Sequence, residues 1–256
     1  MNILLVNDDG VLAPGLTALA QALAPLGRVV IMAPESERSG FASAITLDRP
    51  LKPVAIKPDV WAVNGTPADC VYLAMHNWLN IQFDLVISGI NSGANISDDV
   101  LYSGTVGATV EATVQGCPAL AISLAGPKVR AYQDISNYQQ AAQWVHDFIV
   151  KGIPKLPTGY ILNINIPDVA NLQGQQVTQL SQRQLKQPLQ AQQDARGRDV
   201  VWLSLLAQPI VTADLGSIYD HQALAAGYVS LTPIQMRSCT AQMLTDLQAQ
   251  LASTGH

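Results

Sequence analysis

The first 33 residues constrain the fold most strongly, because they carry the pattern of a parallel β-α-β unit. Residues 2–6 (NILLV) are a short apolar run of the kind found in strands buried on both faces. Apolar residues spaced as on one helix face follow from Pro14 to Leu26, and residues 28–33 (RVVIMA) predict a second buried strand. In such a unit the helix connects two parallel strands, and this crossover is almost always right-handed. The unit therefore predicts an α/β fold with a mostly parallel sheet.

The alternation of strands and helices continues to residue 167, where we expect the core to end. Further strands are predicted over 84–88, 119–123 and 160–167, and helices after Thr66, after Ser103 and over 135–151. No G-x-G-x-x-G lies between the first strand and helix, so the dinucleotide fingerprint is absent.

The last third of the chain has a different character. Residues 170–199 are rich in Gln and keep no sustained period, whereas 200–203, 228–233 and 240–251 predict a hairpin arm, a strand and a terminal helix. We therefore expect a core over 1–167 and a C-terminal extension over 168–256. A long excursion of this kind is usually functional or interfacial, so we expect it to pack on the core and on a partner subunit.

The composition argues against several classes of function. The chain has 14 Lys and Arg against 19 Asp and Glu, and its net charge is -5. This balance argues against a protein that binds the backbone of a nucleic-acid polymer. The four histidines lie in no ligand motif, which argues against a His-rich zinc hydrolase. The three cysteines lack C-x-x-C spacing and indicate buried thiols in a reducing compartment. With no signal-peptide pattern and no membrane-length apolar run, we expect a cytoplasmic protein without a membrane partner.

Two adjacent carboxylates, Asp8 and Asp9, stand where the first strand ends. In open α/β sheets the ligand crevice lies outside the carboxyl ends of the strands, so both side chains are predicted to face that crevice. Adjacent aspartates repel each other, and a divalent cation is the simplest way to neutralise them. The alternative is a plain Asp-Asp-Gly turn ending at Gly10.

Two later stretches place neutral polar groups at the same predicted edge. Asn91 and Asn95 follow the third strand among glycines, and Ser103-Gly104-Thr105 opens a helix built of small residues. A helix N-terminus with free N–H groups suits a phosphate, although Ser103 also suits a simple helix cap. The site stretches hold no Lys or Arg except Arg38, so phosphate has to be held by a metal, N–H groups and neutral side chains.

Together these stretches resemble the SurE survival-protein family over essentially the whole chain. The order and spacing carry the resemblance in six segments: Asn7-Asp8-Asp9-Gly10, Ser39-Gly40, Asn64-Gly65-Thr66-Pro67, Ser88-Gly89-Ile90-Asn91-x-Gly93-x-Asn95, Ser103-Gly104-Thr105-Val106-Gly107-Ala108 and Gly227-Tyr228-Val229-Ser230-Leu231-Thr232-Pro233. The family often has Thr-Arg where this chain has Thr178-Gln179, and Thr-Asp where it has Tyr219-Asp220.

The resemblance implies a Rossmann-like three-layer core and a C-terminal excursion that swaps between subunits of a homodimer or homotetramer. It implies a 5′-nucleotidase, a metal-dependent phosphomonoesterase acting on nucleoside 5′- and 3′-monophosphates, and some family members also trim short-chain polyphosphate. The implied metal ligands are Asp8, Asp9, Ser39 and Asn91. Asn95, Ser103, Gly104 and Thr105 are implied to surround the phosphate, with Asp8, Asp9, Asn95 and Ser103 as the catalytic residues.

The expected chemistry follows from these oxygen-rich side chains. Carboxylate, carboxamide and hydroxyl oxygens are hard ligands, which suit one Mg²⁺ or Mn²⁺ ion per subunit. We expect a water activated by that metal to attack phosphorus in line, positioned by Asp8 or Asp9. Ser103, Thr105 and Asn95 are expected to stabilise charge on the phosphoryl oxygens.

Two alternatives remain from the residues alone. One is a covalent aspartyl-phosphate phosphatase, which is disfavoured because dehalogenase-type enzymes separate their two aspartates by one residue. The other is a receiver-like signalling module, which also clusters acids at strand ends. The chain length and the Gly/Asn/Ser-rich loops argue against the module.

Overall fold

A computed structural model of the chain describes residues 1–183, 190–202, 209–210, 218–236 and 240–253. The strands are β1 Asn2–Val6, β2 Arg28–Pro34, β3 Pro53–Lys57, β4 Val60–Val63, β5 Leu85–Ser92, β6 Ala119–Ala125, β7 Tyr160–Pro167, β8 Gln175–Val177, β9 Gln182–Arg183, β10 Gln190–Gln193, β11 Asp199–Trp202, β12 Pro209–Ile210 and β13 Val229–Gln235. The helices are α1 Pro14–Leu23, α2 Pro67–Leu73, α3 Gly104–Val114, α4 Gln139–Lys151, α5 Asp220–Ala225 and α6 Ala241–Ser253.

One mixed, mostly parallel sheet organises the described residues. Its order is β3-β4-β2-β1-β5-β6-β7-β13-β8. The six strands from β4 to β7 in that order are mutually parallel, β3 and β13 run antiparallel to their inner neighbours, and β8 is parallel to β13. The predicted α/β class with a mostly parallel sheet is confirmed.

Helices cover both faces of this sheet, which makes a three-layer core. Alternate residues of β1 show why: Ile3 and Leu5 belong to the core under α1 and α4, whereas Leu4 and Val6 belong to the core under α2 and α3. All four side chains are fully buried. A strand apolar on both faces needs a layer on each side, so the NILLV run itself requires this arrangement.

The sheet reverses its winding between β1 and β5. The chain proceeds from β1 to β2 and β4 on one side, and from β5 to β6 and β7 on the other. The loops after β1 and β5 therefore leave in opposite directions and open a crevice at their carboxyl ends, the usual ligand position in such sheets.

Local signals set several helix ends as predicted. The helix predicted after Thr66 begins with a capping box, in which Thr66 Oγ1 accepts from Asp69 N at 3.1 Å and Asp69 Oδ2 accepts from Thr66 N at 2.8 Å. Helix α1 is shorter than predicted, because a 3-10 turn replaces its last three positions, Ala24–Leu26.

The C-terminal extension joins the same sheet. Strand β13 pairs with β7 along six residues, and β8 adds to its far side. The predicted hairpin arm is observed as β11, which pairs antiparallel with β10, and residue 203 lies outside the described residues. Gln179 and Tyr219, two of the departures from the family pattern, face each other in an isolated parallel bridge.

Asp220 ties the extension to the loop after β5. Its side chain is fully buried, and Oδ2 accepts from Ser97 N at 2.8 Å. Oδ1 accepts from Ser181 Oγ at 2.7 Å. A buried carboxylate that accepts several hydrogen bonds fixes the segments that donate them.

Candidate functional site

A cleft of about 1200 Å³ opens at the carboxyl edge of the sheet, over the β1/β5 reversal. Its walls come from the loops after β1, β2, β5 and β6, together with the end of β11. Of the residues predicted for the site, six line it: Asp8, Asp9, Ser39, Asn91, Asn95 and Ser103. The topology therefore brings together segments that are nearly one hundred residues apart in the chain.

The turn after β1 is held by Asn7. Its fully buried side chain donates from Nδ2 to Gly10 O at 2.9 Å and accepts from Gly10 N at 3.2 Å. Gly10 has a φ of 105°, a backbone conformation that side-chain-bearing residues rarely adopt. This closed turn presents Asp8 and Asp9 to the cleft.

Asp8 is packed against the N-terminus of α3. Thr105 Oγ1 donates to Asp8 Oδ1 at 2.5 Å, and the N–H groups of Gly104 and Thr105 also donate to this carboxylate. A Cβ on Gly104 would lie 2.9 Å from Asp8 Cβ, so only glycine permits this approach. Burial nevertheless raises the pKa of Asp8, despite these stabilising hydrogen bonds.

Asp9 is a second carboxyl group whose charged form is disfavoured by its surroundings. Burial, and then the neighbouring Asp8 charge, raise its pKa to about 6, although Ser92 N donates to Asp9 Oδ2 at 3.0 Å. Ser92 Oγ in turn shares a 2.6 Å hydrogen bond with the hydroxyl of the fully buried Tyr138. The charged side chains that shift the pKa of Asp9 are both acidic, Asp8 and Glu37. The pair is therefore a site of uncompensated negative charge.

The two predicted asparagines have different surroundings. Asn91 donates from Nδ2 to Gly93 O at 2.8 Å, which leaves its amide oxygen as the group it can offer to a cation. Asn95 is 7% exposed and fixed on every side. Asn165 Oδ1 accepts from its N–H at 2.8 Å, Ser123 Oγ accepts from its Nδ2 at 2.8 Å, and the amides of Asn163 and Asn165 donate to its carbonyl.

Ser103 is both a helix cap and a wall of the cleft. Its Oγ accepts from Val106 N at 3.1 Å, which caps α3, and its side chain lines the cleft. The cap uses a lone pair and leaves the hydroxyl proton to be donated elsewhere. The two interpretations of Ser103 that the sequence left open are therefore compatible.

Gly104 and Thr105 lie directly behind Asp8. Neither is among the residues that line the cleft, and Thr105 donates to the carboxylate, so their place beside the phosphate stays a prediction. Thr105 is fully buried, and its single hydroxyl proton is donated to Asp8. The side chain of Thr105 is thus already engaged by the carboxylate.

Ser39 lies on the exposed loop after β2 and donates to Glu37 Oε1 at 2.9 Å. The loop is nevertheless anchored beside the aspartates, because Arg38 N donates to Asp8 O at 2.7 Å. Arg38, the cation expected near the site, is absent from the cleft lining and lies over the ring of Phe41 at 5.7 Å.

Two residues of the cleft were missed by sequence reasoning. Arg130 is the one Lys or Arg in the described cleft lining, and its guanidinium lies over Gly93, where a Cβ would approach Nε to 3.5 Å. Trp202 lines the cleft from the end of β11. Neither residue lies in a recognisable motif, so only their three-dimensional position reveals them.

Among the described residues, no three side chains of His, Cys, Asp or Glu converge to hold a metal, so a metal here would need further oxygen ligands such as Ser, Asn or water. Cys70 and Cys117 are unpaired buried thiols, and burial raises the pKa of Cys117 to about 11. Among the described helices, none is both long and apolar enough to cross a membrane.

Comparisons with known proteins agree on one family. The family described as Survival protein SurE matches residues 3–187. The chain is 57% identical to the 5′-nucleotidase SurE of Acinetobacter baumannii (strain AYE), covering 98% of this chain and 100% of that protein. It is 42% identical to the 5′-nucleotidase SurE of Legionella pneumophila (strain Lens), covering 92% and 91%.

A solved structure extends the agreement to the fold. The SurE protein from Aquifex aeolicus superposes with a TM-score of 0.80 at 34% identity, covering 98% of this chain and 99% of that one. With a family match over most of the chain and relatives that align along their whole length, this chain belongs to the SurE family.

Proposed function

We propose that this protein is a 5′-nucleotidase, a phosphomonoesterase that uses a divalent metal to release phosphate from nucleoside 5′-monophosphates. The observation that carries the proposal is the uncompensated Asp8–Asp9 pair in a cleft large enough for a nucleotide. The relatives from Acinetobacter and Legionella carry the same activity in their names. Activity on 3′-monophosphates and short-chain polyphosphate belongs to the same proposal.

The donor set fits a hard divalent cation. Burial raises the pKa of both aspartates, and the Asp8 charge raises that of Asp9 further, so a bound cation would offset this penalty. We assign Asp8, Asp9, Ser39 and Asn91 as the ligands of one Mg²⁺ or Mn²⁺ ion per subunit, since all four offer oxygen atoms. When bound, the ion would polarise the phosphoryl group and offset the negative charge.

The residues around that position have separate tasks. Asp8 is held by the Thr105 hydroxyl and by N–H groups of α3, so its orientation is fixed. We assign Asp9 to orienting the attacking water. The donors for the phosphoryl oxygens are the Ser103 hydroxyl proton and the amide of Asn95, because both side chains line the cleft and are held in place.

The phosphate has more positive charge available than the sequence suggested. Arg130 faces the cleft from the segment after β6, and a guanidinium suits phosphate through its forked donors. We assign Arg130 to attracting the substrate dianion, whereas Arg38 is occupied by Phe41 outside the cleft lining.

A covalent aspartyl-phosphate mechanism is the alternative. It is disfavoured because Asp8 and Asp9 are adjacent, whereas dehalogenase-type phosphatases separate their two aspartates by one residue. Rapid acid quenching during turnover of radiolabelled substrate tests this point. We expect no phosphate bound to the protein, and a stoichiometric phosphoryl-enzyme would contradict direct attack by water.

One assay tests the proposed function. Phosphate release is measured from a panel of nucleoside monophosphates in Mg²⁺, Mn²⁺, Zn²⁺ or EDTA. We expect activity with Mg²⁺ or Mn²⁺ and complete loss in EDTA, restored when the metal is returned. Full activity in a preparation shown to be metal-free would overturn the metal-dependent mechanism, and inactivity on every nucleotide would overturn the function.

The assembly and location belong to the proposal as well. Helix α6 exposes four large apolar residues with helical spacing: Met243, Leu244, Leu247 and Leu251. We propose that the extension over 168–256 forms a homodimer or homotetramer by covering this face. The unpaired thiols support residence in the reducing cytoplasm. A monomer by light scattering at micromolar concentration would contradict the assembly.

A further inference from the structure

Trp202 combines exposure with a position on the cleft. It is the last residue of β11, and it is 63% exposed while lining the same cleft as Asp8 and Asp9. The β10–β11 pair forms a two-stranded sheet separate from the main one. The indole therefore adds a large apolar surface to the lining of this cleft.

The segment after β6 forms another wall of the cleft that Trp202 lines. It contributes Pro127 and Tyr132, and the Tyr132 hydroxyl donates to Asp168 Oδ2 at 2.6 Å, which fixes the ring. Arg130 lies in the same segment and reaches over Gly93. This part of the cleft thus offers aromatic and aliphatic surface beside one cation, whereas the Asp8–Asp9 end offers oxygen atoms.

Building on the proposed nucleotidase function, we propose that Trp202 is the base-recognition residue, which stacks on the nucleobase of the substrate. The preferred substrate class is then a phosphomonoester with an attached aromatic base, and sugar phosphates without a base are poor substrates. Stacking accepts any base because every base has a π-face, so Trp202 selects nucleotides as a class and does not choose one base.

The size of the cleft supports a separate position for the base, away from the metal and phosphate. Metal and phosphate need only the Asp8–Asp9 end, yet the cavity of about 1200 Å³ extends to Trp202 and Tyr132. An exposed indole loses its unfavourable hydration when a flat ring covers it, and the hairpin is the element that positions it.

The test compares two substrates that differ only in the base. The kcat/KM values for adenosine 5′-monophosphate and ribose 5-phosphate are measured with Mn²⁺ for the wild type, W202A and W202F. Loss of one stacked base typically corresponds to about a 10- to 100-fold effect, so W202A is expected to lose that much kcat/KM on the nucleotide, mainly through KM. Ribose 5-phosphate hydrolysis is expected to stay within about twofold, and W202F to recover most of the loss.

The matched control is a second exposed tryptophan. Trp78 is 52% exposed and lies outside the cleft lining, so W78A is expected to leave both kcat/KM values unchanged. A second measurement uses the products as inhibitors: W202A should raise the inhibition constant of adenosine and leave that of inorganic phosphate as in the wild type.

Several outcomes overturn the inference while leaving the nucleotidase function standing. One is an active W202A with unchanged nucleotide KM. Another is an equal loss on both substrates accompanied by a change in oligomeric state, which would make Trp202 an interface residue between copies of the chain. If the wild type hydrolyses neither substrate with any metal, the proposed function itself fails.

Discussion

The floor and the rim of the cleft are built in opposite ways. The floor, defined as Asp8, Asn95 and Ser103, is 4 to 8% exposed, and hydrogen bonds fix each of its side chains, to distant segments for Asp8 and Asn95 and to the helix start for Ser103. The rim, defined as Ser39, Arg130 and Trp202, is exposed and carried by loops or by a hairpin. Rigid placement suits groups that must meet a transition state, whereas an accessible rim suits groups that select what enters.

The comparison assigns catalysis to the floor and substrate selection to the rim, and substitutions can test this assignment. If the comparison is correct, floor variants should strongly reduce turnover or metal affinity, and rim variants should have smaller effects, on KM, on substrate preference or, for Ser39, on metal affinity.

Asp8→Asn should reduce turnover to background. The substitution keeps size but removes one of the two charges that the metal needs, and it places an amide donor beside the Thr105 hydroxyl. Bound metal, measured by elemental analysis, should fall, and excess Mn²⁺ should partly restore activity. A variant that keeps both its metal and its rate would show that Asp8 is not a ligand.

Ser103→Ala should lower kcat by roughly 100- to 1000-fold, because a donor to transition-state charge is lost. Bound metal should be unchanged, and added Mn²⁺ should not restore the rate. Loss of the α3 cap should also cost about 1 kcal/mol of unfolding free energy, measurable by urea denaturation. Loss of metal from this variant would contradict the division between metal ligands and phosphate donors.

Thr105→Val should weaken metal binding by roughly 10- to 100-fold, as expected when a partner that orients a ligand is removed. The valine has nearly the same shape, but Asp8 Oδ1 loses its hydroxyl donor. The measurement is the Mn²⁺ concentration at half-maximal activity. Thr105→Ser keeps the hydroxyl and should behave like the wild type, and equal effects of both variants would indicate a packing role only.

Ser39→Ala should have the smallest effect, raising the half-saturating Mn²⁺ concentration by less than about tenfold. Its hydroxyl is an exposed neutral ligand, and a water can take its place in the coordination shell. Titration of activity with Mn²⁺ checks this value. A loss as large as that of Asp8→Asn would place Ser39 with the floor and break the comparison.

Short-range signals explain what the sequence could predict. The strand before Asp8, the capping box at Thr66 and the cap at Ser103 depend on residues within a few positions of one another. The edge of the sheet on which the site lies also follows, because parallel strands place their carboxyl ends together. For this reason six of the predicted site residues line one cleft.

Contacts between residues far apart in the chain explain what could not be predicted from the sequence. The Thr105 hydroxyl donates to Asp8 across 97 positions, a contact with a carboxylate that no local pattern in the sequence indicates. Arg130 enters the cleft from a short 3-10 turn without a motif, and Trp202 enters from a hairpin in a Gln-rich region. Their roles depend on tertiary placement, which periodicity does not encode.

The Asp220 tie makes the final third of the chain a component of the cleft wall. Ser97 is two residues beyond Asn95, and its N–H depends on a carboxylate that arrives 123 positions later. A fragment ending at residue 167 would leave that N–H without its acceptor and would expose β7 as a bare sheet edge. The smallest catalytic unit of this protein is therefore expected to extend at least through β13, because the wall that carries Asn95 is completed only when Asp220 and β13 are in place.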